Sequence, residues 1–477
     1  MLRLLLALLA LGTAIPSAFA QKPEATDLFL ARYELGLRMK AFEARWEKTD
    51  DAAARKRGAT KLAEVHAQFL SFRFSEAART LDLAAFALES SEPPSTAKLW
   101  AASLAAVPEK RLVDGNEKEL AVTVKQLYAV KGEMPKNLEV QFWFNDKQVT
   151  TVKPTQLPFA AKVPLPPLGE FAGLDRKLYF LVESGRTVQH HSLGISQVAK
   201  LEERLATLKK ATGEWKELDS IEKATSRDRT EQLAALAAGC IEETDIPAAS
   251  LLANAEAMRD GKPFFTVARS GQFWMSVPLG GKKAAPVRVS IPKNLDPTKP
   301  VPVVVGLHGA GGSENLFFEG YGAGQIVKEC ETRGWAFVAT RSGLDFSGAP
   351  PVAAILEELT KRYPLDAKRT FLVGHSMGAG QTISLAQKHP GRFAAIACLG
   401  GGGSVRNAKA FATLPAFLAA GERDFGLAYT KELNETLAAG NAKAVQFKEY
   451  PGLEHLLIVR EALPDLFEWF EKVGAKR

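Results

Sequence analysis

Cysteine is scarce in this chain, and its distribution excludes a disulfide-stabilised scaffold. The 477 residues contain three cysteines, Cys240, Cys330 and Cys398. Because three is an odd number and the positions lie far apart, one disulfide at most could form, and a domain of this size does not need one. Cys398 lies in the apolar run FAAIACLG, which predicts a buried thiol.

Long apolar runs and dense basic segments are also missing. No stretch beyond the N-terminus reaches the roughly 18 apolar residues of a transmembrane helix, so we expect no membrane span. The net charge of +7 is spread along the chain, without the Lys/Arg cluster and interleaved aromatics that nucleic acid requires. Among the seven histidines, none has further metal ligands at a suitable spacing, so we expect no metal site.

The first 20 residues predict a secretory signal peptide. Arg3 supplies the positive segment, Leu4 to Leu11 form a short apolar core, and Ala18-Phe19-Ala20 has the pattern of a cleavage site. Cleavage after Ala20 would leave Gln21 as the first residue. We therefore expect a periplasmic or secreted protein.

The spacing of apolar residues divides the rest of the chain into four regions. Residues 21–116 and 196–261 repeat apolar residues at helical spacing. Residues 117–195 alternate polar residues with β-branched and aromatic ones, which predicts a small antiparallel, β-sandwich-like module. In residues 262–477, apolar strands alternate with helices, which predicts an α/β domain with a mostly parallel, doubly wound sheet. Ligands of such sheets bind at the carboxyl ends of the strands.

The segment FLVGHSMGAGQ places Ser376 at the junction of a predicted buried strand and a predicted helix. The G-x-S-x-G pattern alone is weak evidence, but this context is that of a nucleophile elbow, which holds a serine hydroxyl above the sheet. The alternative is a serine that only caps the helix. In an elbow, the N–H of Met377 would donate to the oxyanion of the reaction, because it lies at the positive end of the helix.

A serine nucleophile needs a base, and the base needs a carboxylate that orients it. His455 follows the last predicted strand, whereas His389 closes the helix that starts at the serine and is expected to cap it. Asp424 follows the preceding strand, in LPAFLAAGERD, and Glu422 is the alternative acid. Asp345 precedes the serine, which conflicts with the chain order serine, acid, histidine.

The glycine-rich segment GLHGAGGSEN follows another apolar strand and predicts an oxyanion loop. Its second donor is expected to be the N–H of Gly309 or of Ala310. We expect His308, and likewise His375 in the elbow, to hold these loops by hydrogen bonds. The chemistry of this set needs neither a metal nor an organic cofactor.

Taken together, these segments resemble the α/β-hydrolase superfamily. PVVVGLHGAGGSEN, the serine segment, LPAFLAAGERD and FKEYPGLEH are similar to exported esterases related to polyhydroxybutyrate depolymerases and feruloyl or acetylxylan esterases, and to peptidases of the prolyl-oligopeptidase type. The resemblance covers residues 262–477 and implies an esterase that uses Ser376, His455 and Asp424. This chain departs from the family pattern in AGERDFGLAYT, where we expect Phe425 and Leu427 to shape that side of the pocket.

Other functions stay open at this point. A serine peptidase would use the same residues. A non-catalytic, polymer-binding protein could retain the fold, although the complete set of serine, acid, histidine and glycines argues against this. Residues 21–261 carry no motif, so they could bind a polymer or a partner, gate the pocket or act as a scaffold. The sequence leaves open whether the ester is small or polymeric, which acyl and alcohol groups it has, and whether the protein oligomerises.

Overall fold

The computed structural model describes residues 22–170, 173–185, 187–260, 263–342 and 349–474. The predicted signal peptide and Asp345 lie outside these ranges. Within them, the chain forms an N-terminal helical region, a β module with further helices, and a C-terminal domain around an eight-stranded sheet. Over the same ranges, no helix has both the length and the apolar composition to span a bilayer.

The N-terminal helical region has four helices: α1 (Lys22–Glu47), α2 (Ala52–Leu70), α3 (Phe74–Glu89) and α4 (Thr96–Ser103). Helix α2 begins after Asp51, whose carboxylate accepts two backbone N–H groups of the first turn. Phe42, Leu62 and Leu81 are buried between the first three helices. Helical spacing predicts helix throughout residues 21–116. This prediction is wrong after Ser103, because the alanine-rich segment that follows forms a strand of a sheet.

Within the residues that the structure describes, the β module contains eight strands: β1 (Leu104–Pro108), β2 (Leu112–Asp114), β3 (Glu119–Gln126), β4 (Leu138–Phe144), β5 (Lys147–Val152), β6 (Phe159–Pro164), β7 (Asp175–Ser184) and β8 (Thr187–Val198). They form two sheets, with the orders β1-β3-β6 and β2-β8-β7-β4-β5. Val122 of the first sheet and Phe142 and Phe180 of the second belong to one buried cluster. The two sheets therefore share a core, as in a sandwich.

Three helices connect this module to the C-terminal domain: α5 (Leu201–Gly213), α6 (Ile221–Ala237) and α7 (Ala248–Arg259). Ile221 and Met258 are buried in the apolar core of the C-terminal sheet. The connecting helices are therefore packed on the C-terminal domain.

The C-terminal sheet consists of β9 (Gly271–Pro278), β10 (Ala284–Ile291), β11 (Val301–Leu307), β12 (Ala336–Thr340), β13 (Leu365–His375), β14 (Ala395–Leu399), β15 (Ala416–Gly421) and β16 (Val445–Tyr450). Its order is β16-β15-β14-β13-β11-β12-β10-β9. Strand β10 runs antiparallel to both neighbours, and the other pairs are parallel. The predicted mostly parallel sheet is confirmed.

Helices cover both faces of this sheet: α8 (Leu316–Glu319), α9 (Gln325–Arg333), α10 (Val352–Thr360), α11 (Met377–Lys388), α12 (Leu427–Ala439) and α13 (Leu457–Gly474), with a 3-10 turn at Ala408–Phe411. Successive strand residues face opposite sides: Leu372 packs with α10, α11 and α12, whereas Phe371 and Val373 pack with α9 and α13. Cys398 in β14 is buried, as predicted, and all three cysteines are free thiols.

Helix α11 lies so close to β11 that residue 378 has no room for a side chain. A Cβ atom at Gly378 would lie 1.9 Å from the carbonyl oxygen of Leu307, and one at Gly374 would lie 2.1 Å from the carbonyl oxygen of Gly378. The two glycines of the G-x-S-x-G pattern are therefore required by the contact between helix and strand.

Replacing Gly378 by alanine should lower the free energy of unfolding by about 3 kcal/mol, because the added methyl group meets backbone atoms that cannot move aside. Gly213→Ala is the matched control, since a Cβ there would have no atom within 4 Å. Urea denaturation measures both variants. Equal stabilities would contradict the close contact.

Candidate active site

Ser376 occupies a strained corner between β13 and α11. Its backbone has φ 56° and ψ −116°, in a region that residues with a side chain rarely adopt. The N–H of Ser376 donates to the carbonyl oxygen of Leu399, at 3.0 Å, which anchors the corner to β14. The side chain makes no capping hydrogen bond to α11, so the helix-cap alternative does not account for it. Backbone strain of this kind is concentrated at functional sites.

His455 and Asp424 meet at the same edge of the sheet. His455 lies between β16 and α13, and Asp424 lies between β15 and α12, so the parallel strands bring both loops to the carboxyl edge. The Nδ1 atom of His455 is 2.7 Å from Oδ1 of Asp424. The two residues are 2% and 5% exposed. Glu422 instead accepts the N–H of Gly452 and is exposed, so Asp424 is the acid that contacts the histidine.

The hydrogen bond to Asp424 determines the tautomer of His455. An ionised carboxylate only accepts hydrogen bonds, so Nδ1 carries the proton and Nε2 has a free lone pair. The Nε2 atom is buried and has no hydrogen-bond partner among the described residues. Burial lowers the pKa of His455 to about 3 and raises the pKa of Asp424, because it disfavours the charged form of each group.

His308 holds the predicted oxyanion loop, as expected. The N–H of Ser342 donates to its Nε2 atom at 3.0 Å, so Nδ1 carries the proton and donates to the carbonyl oxygen of Gly309 at 2.7 Å. The N–H of Gly309 donates to the hydroxyl of Tyr321 at 3.2 Å. The sequence leaves open whether Gly309 or Ala310 supplies the second N–H donor of this loop. The N–H of Gly309 is already hydrogen-bonded to Tyr321.

A short network joins this loop to the loop of His455. The hydroxyl of Tyr321 donates to Nδ1 of His375 at 2.7 Å, and Nε2 of His375 donates to the carbonyl oxygen of His455 at 2.9 Å. Burial keeps the pKa of His375 well below its usual range, so the ring is neutral, with one donor and one acceptor. The buried side chains of Tyr321 and His375 therefore link the loop of Gly309 to the loop of His455.

The N-terminal helical region contributes residues that the sequence did not reveal. The ring of His66, in α2, is 4.5 Å from the ring of His455 and 4.3 Å from that of Phe425, between centroids. The ring of Phe425 is in turn 4.0 Å from that of His455. His66 lies on the apolar face of α2 beside Val65 and Phe69, a pattern that predicts a core histidine rather than a site residue.

Arg32 and Glu243 attach the glycine-rich loop (residues 306–315) to the helices. The Nη2 atom of Arg32 donates to the carbonyl oxygen of Gly311 at 2.6 Å and also to the carboxylate of Glu243. The same carboxylate accepts the hydroxyl of Ser313. The ring of Phe69 lies over Gly311, where a Cβ would be 2.8 Å from it. These residues stand too far from the loop in sequence for any local pattern to connect them.

Ser376 and His455 line the same cavity, which has a volume of about 200 Å³. His66 and Phe69 line it from the helical region, and Gly309 and Ala310 line it from the glycine-rich loop. The structure therefore brings the predicted serine, histidine and loop residues together in one cavity, with the acid behind the histidine.

Removing Arg32 should destabilise the folded protein by about 2 kcal/mol, because it leaves the partly buried carboxylate of Glu243 without its charge partner. Urea denaturation of Arg32→Met, Glu243→Gln and the double variant forms a thermodynamic cycle. We expect the double variant to lose at least about 1 kcal/mol less than the sum of the single losses. Additive losses would show that the two groups are independent and contradict the contact.

Comparison with known proteins supports the fold. The sequence model described as alpha/beta hydrolase fold matches residues 302–445. A search of curated proteins found no match. Similar solved structures include fluorophosphonate-binding serine hydrolase F of Staphylococcus aureus, which is 17% identical over 42% of this chain and 99% of its own, with a TM-score of 0.35. Est1E of Butyrivibrio proteoclasticus is 13% identical over 43% of this chain and 100% of its own, with a TM-score of 0.35.

A third structure, titled a thermostable esterase, is 16% identical over 78% of this chain and 99% of its own, with a TM-score of 0.39. The matched residues run from β11 to β16 and include the strained serine and the acid. The C-terminal domain of this chain has the alpha/beta hydrolase fold.

Proposed function

We propose that this protein is a serine hydrolase that cleaves carboxylic esters through Ser376, His455 and Asp424. The observation that carries the proposal is the buried hydrogen bond between Asp424 and His455, on the cavity that the strained Ser376 also lines. This bond leaves Nε2 of His455 unprotonated, and its lack of another partner among the described residues makes it available to a serine hydroxyl.

The reaction would proceed in two acyl transfers. Oγ of Ser376 attacks the ester carbonyl carbon while its proton passes to Nε2 of His455, and Asp424 stabilises the resulting imidazolium. The tetrahedral intermediate collapses, and the alcohol leaves with the proton from His455. Water then attacks the acyl-enzyme, again delivering its proton to His455, and the carboxylic acid leaves as the proton returns to Ser376.

For the oxyanion we propose the N–H groups of Met377 and Ala310. Met377 is the first residue of α11, and N–H groups of a first helical turn have no acceptor within the helix. Ala310 lines the cavity, whereas the N–H of its neighbour Gly309 is bound to Tyr321. Each such donor typically stabilises the transition state by about 3 kcal/mol.

For the compartment, we propose export with cleavage after Ala20, on the strength of the charged, apolar and small-residue segments at the N-terminus.

Ser376→Ala should reduce hydrolysis of p-nitrophenyl acetate at least about a thousandfold and abolish labelling by a fluorophosphonate, because the attacking oxygen is gone. Ser270→Ala, at an exposed serine, is the control and should retain both. A peptide anilide assayed in parallel separates esterase from peptidase activity. Labelling that persists in Ser376→Ala would refute the assignment of the nucleophile.

The acid limb of kcat/KM should lie below pH 6.5, the ordinary pKa of histidine. The groups that face His455 are Asp424, His66 and His375. Asp424 favours the charged imidazolium, but burial outweighs it and lowers the pKa of His455, so the neutral base persists to lower pH. A discontinuous assay from pH 4 to 8 measures the limb, with circular dichroism to verify folding. A limb at or above pH 6.5 would contradict this effect of burial.

A further inference from the structure

The cavity beside Ser376 is bounded on one side by the N-terminal helices. Its apolar wall there consists of Leu35 and Met39 of α1, Val65 and Phe69 of α2, and Leu81 of α3. All except Phe69 are buried in the cluster that holds these helices together, so they present a packed wall rather than mobile side chains. Residues far from the catalytic loops in sequence thus form much of the surface that a bound ester would contact.

The charged groups of the cavity are already paired. Arg32 contacts Glu243, Lys40 contacts Glu319, and Asp245 contacts Lys177. Burial lowers the pKa of His66 to about 3, so its ring carries no charge near neutral pH. A charged substituent would have to displace one of these pairs, whereas an uncharged apolar group can enter without breaking any.

The volume of the cavity limits the size of that group. An apolar cavity of about 150 Å³ is large enough to bind benzene. At about 200 Å³, this cavity has room for a benzene-sized group and a further one or two carbon atoms. An unbranched chain much longer than about eight carbons exceeds this volume and would have to extend beyond the apolar wall.

We propose that the helical region forms the specificity wall of the active site, and that the cavity takes an uncharged, compact apolar substituent of the ester with about six to eight carbon atoms. This inference rests on the proposed ester hydrolysis. It assigns a role to residues 22–89, which determine the size of the group through Met39, Val65 and their neighbours.

Two substrate series test the proposal. In p-nitrophenyl esters the acyl chain varies from two to twelve carbons, and in acetate esters the alcohol varies over the same range. In one series, kcat/KM should rise about threefold to fourfold for each added methylene group, as expected for transfer to an apolar site, and fall beyond about eight carbons. The series that shows this rise identifies which half of the ester occupies the cavity.

Two substitutions should move the optimum in opposite directions. Met39→Ala enlarges the cavity and should shift the optimum to longer groups by about two carbons, whereas Val65→Phe fills it and should shift the optimum to shorter ones. Leu62→Ala, at a buried residue of α2 that does not line the cavity, controls for lost stability and should leave the optimum in place. Destabilisation alone lowers every rate and cannot produce opposite shifts.

The results separate this inference from the proposed function. If Ser376 is labelled by a fluorophosphonate but the shortest member is preferred in both series and neither variant moves the optimum, the specificity wall is refuted and the hydrolase assignment stands. If labelling and hydrolysis are both absent, the two proposals fail together.

Discussion

The packing of the N-terminal helices against the carboxyl edge of the C-terminal sheet is the contact on which the candidate site depends. The indole N–H of Trp46 donates to Glu461 at 2.9 Å, and Leu457, the first residue of α13, is buried in the apolar cluster of the helices. Because α13 starts two residues after His455, this packing also positions the loop of that histidine. It removes water from the imidazole, which is the physical cause of the lowered pKa of His455.

This interface contains buried ionisable side chains that contribute little to stability by themselves. Burial raises the pKa of Glu43 to about 8 and that of Glu454 to about 7. Glu43 accepts the N–H of Gly322 at 2.9 Å, and Glu454 accepts the N–H of Leu457 at 2.7 Å. Since buried ionisable groups are seldom more stabilising than apolar ones of the same shape, we attribute the binding of the helices to their apolar cluster. The carboxylates instead hold backbone segments beside the site.

An uncharged hydrogen-bond network links two loops of the candidate site and fixes their relative positions. Tyr321 and His375 link the N–H of Gly309 to the carbonyl oxygen of His455, so the loop of the proposed oxyanion donors and the loop of the proposed base cannot move independently. Hydrogen bonds of this kind are strengthened by the low local dielectric. Donors that are fixed before the substrate arrives do not have to reorganise during the reaction, which is the condition for effective stabilisation of an oxyanion.

By itself, the sequence determined the mostly parallel sheet, the turn at Ser376 and the placement of His455 and an acid at one edge of the sheet, but it left Asp424 and Glu422 as alternative acids. These features follow from local periodicity and from chain order, because parallel strands carry their following loops to one edge of the sheet. Only the tertiary structure decided that β1 is a strand and that the helical region borders the cavity. Arg32 and Gly311 are 279 residues apart in the chain, and the helical spacing around Arg32 specifies an apolar face without specifying its partner. Apolar burial is non-directional, so the choice of partner is made by the shapes of the folded surfaces.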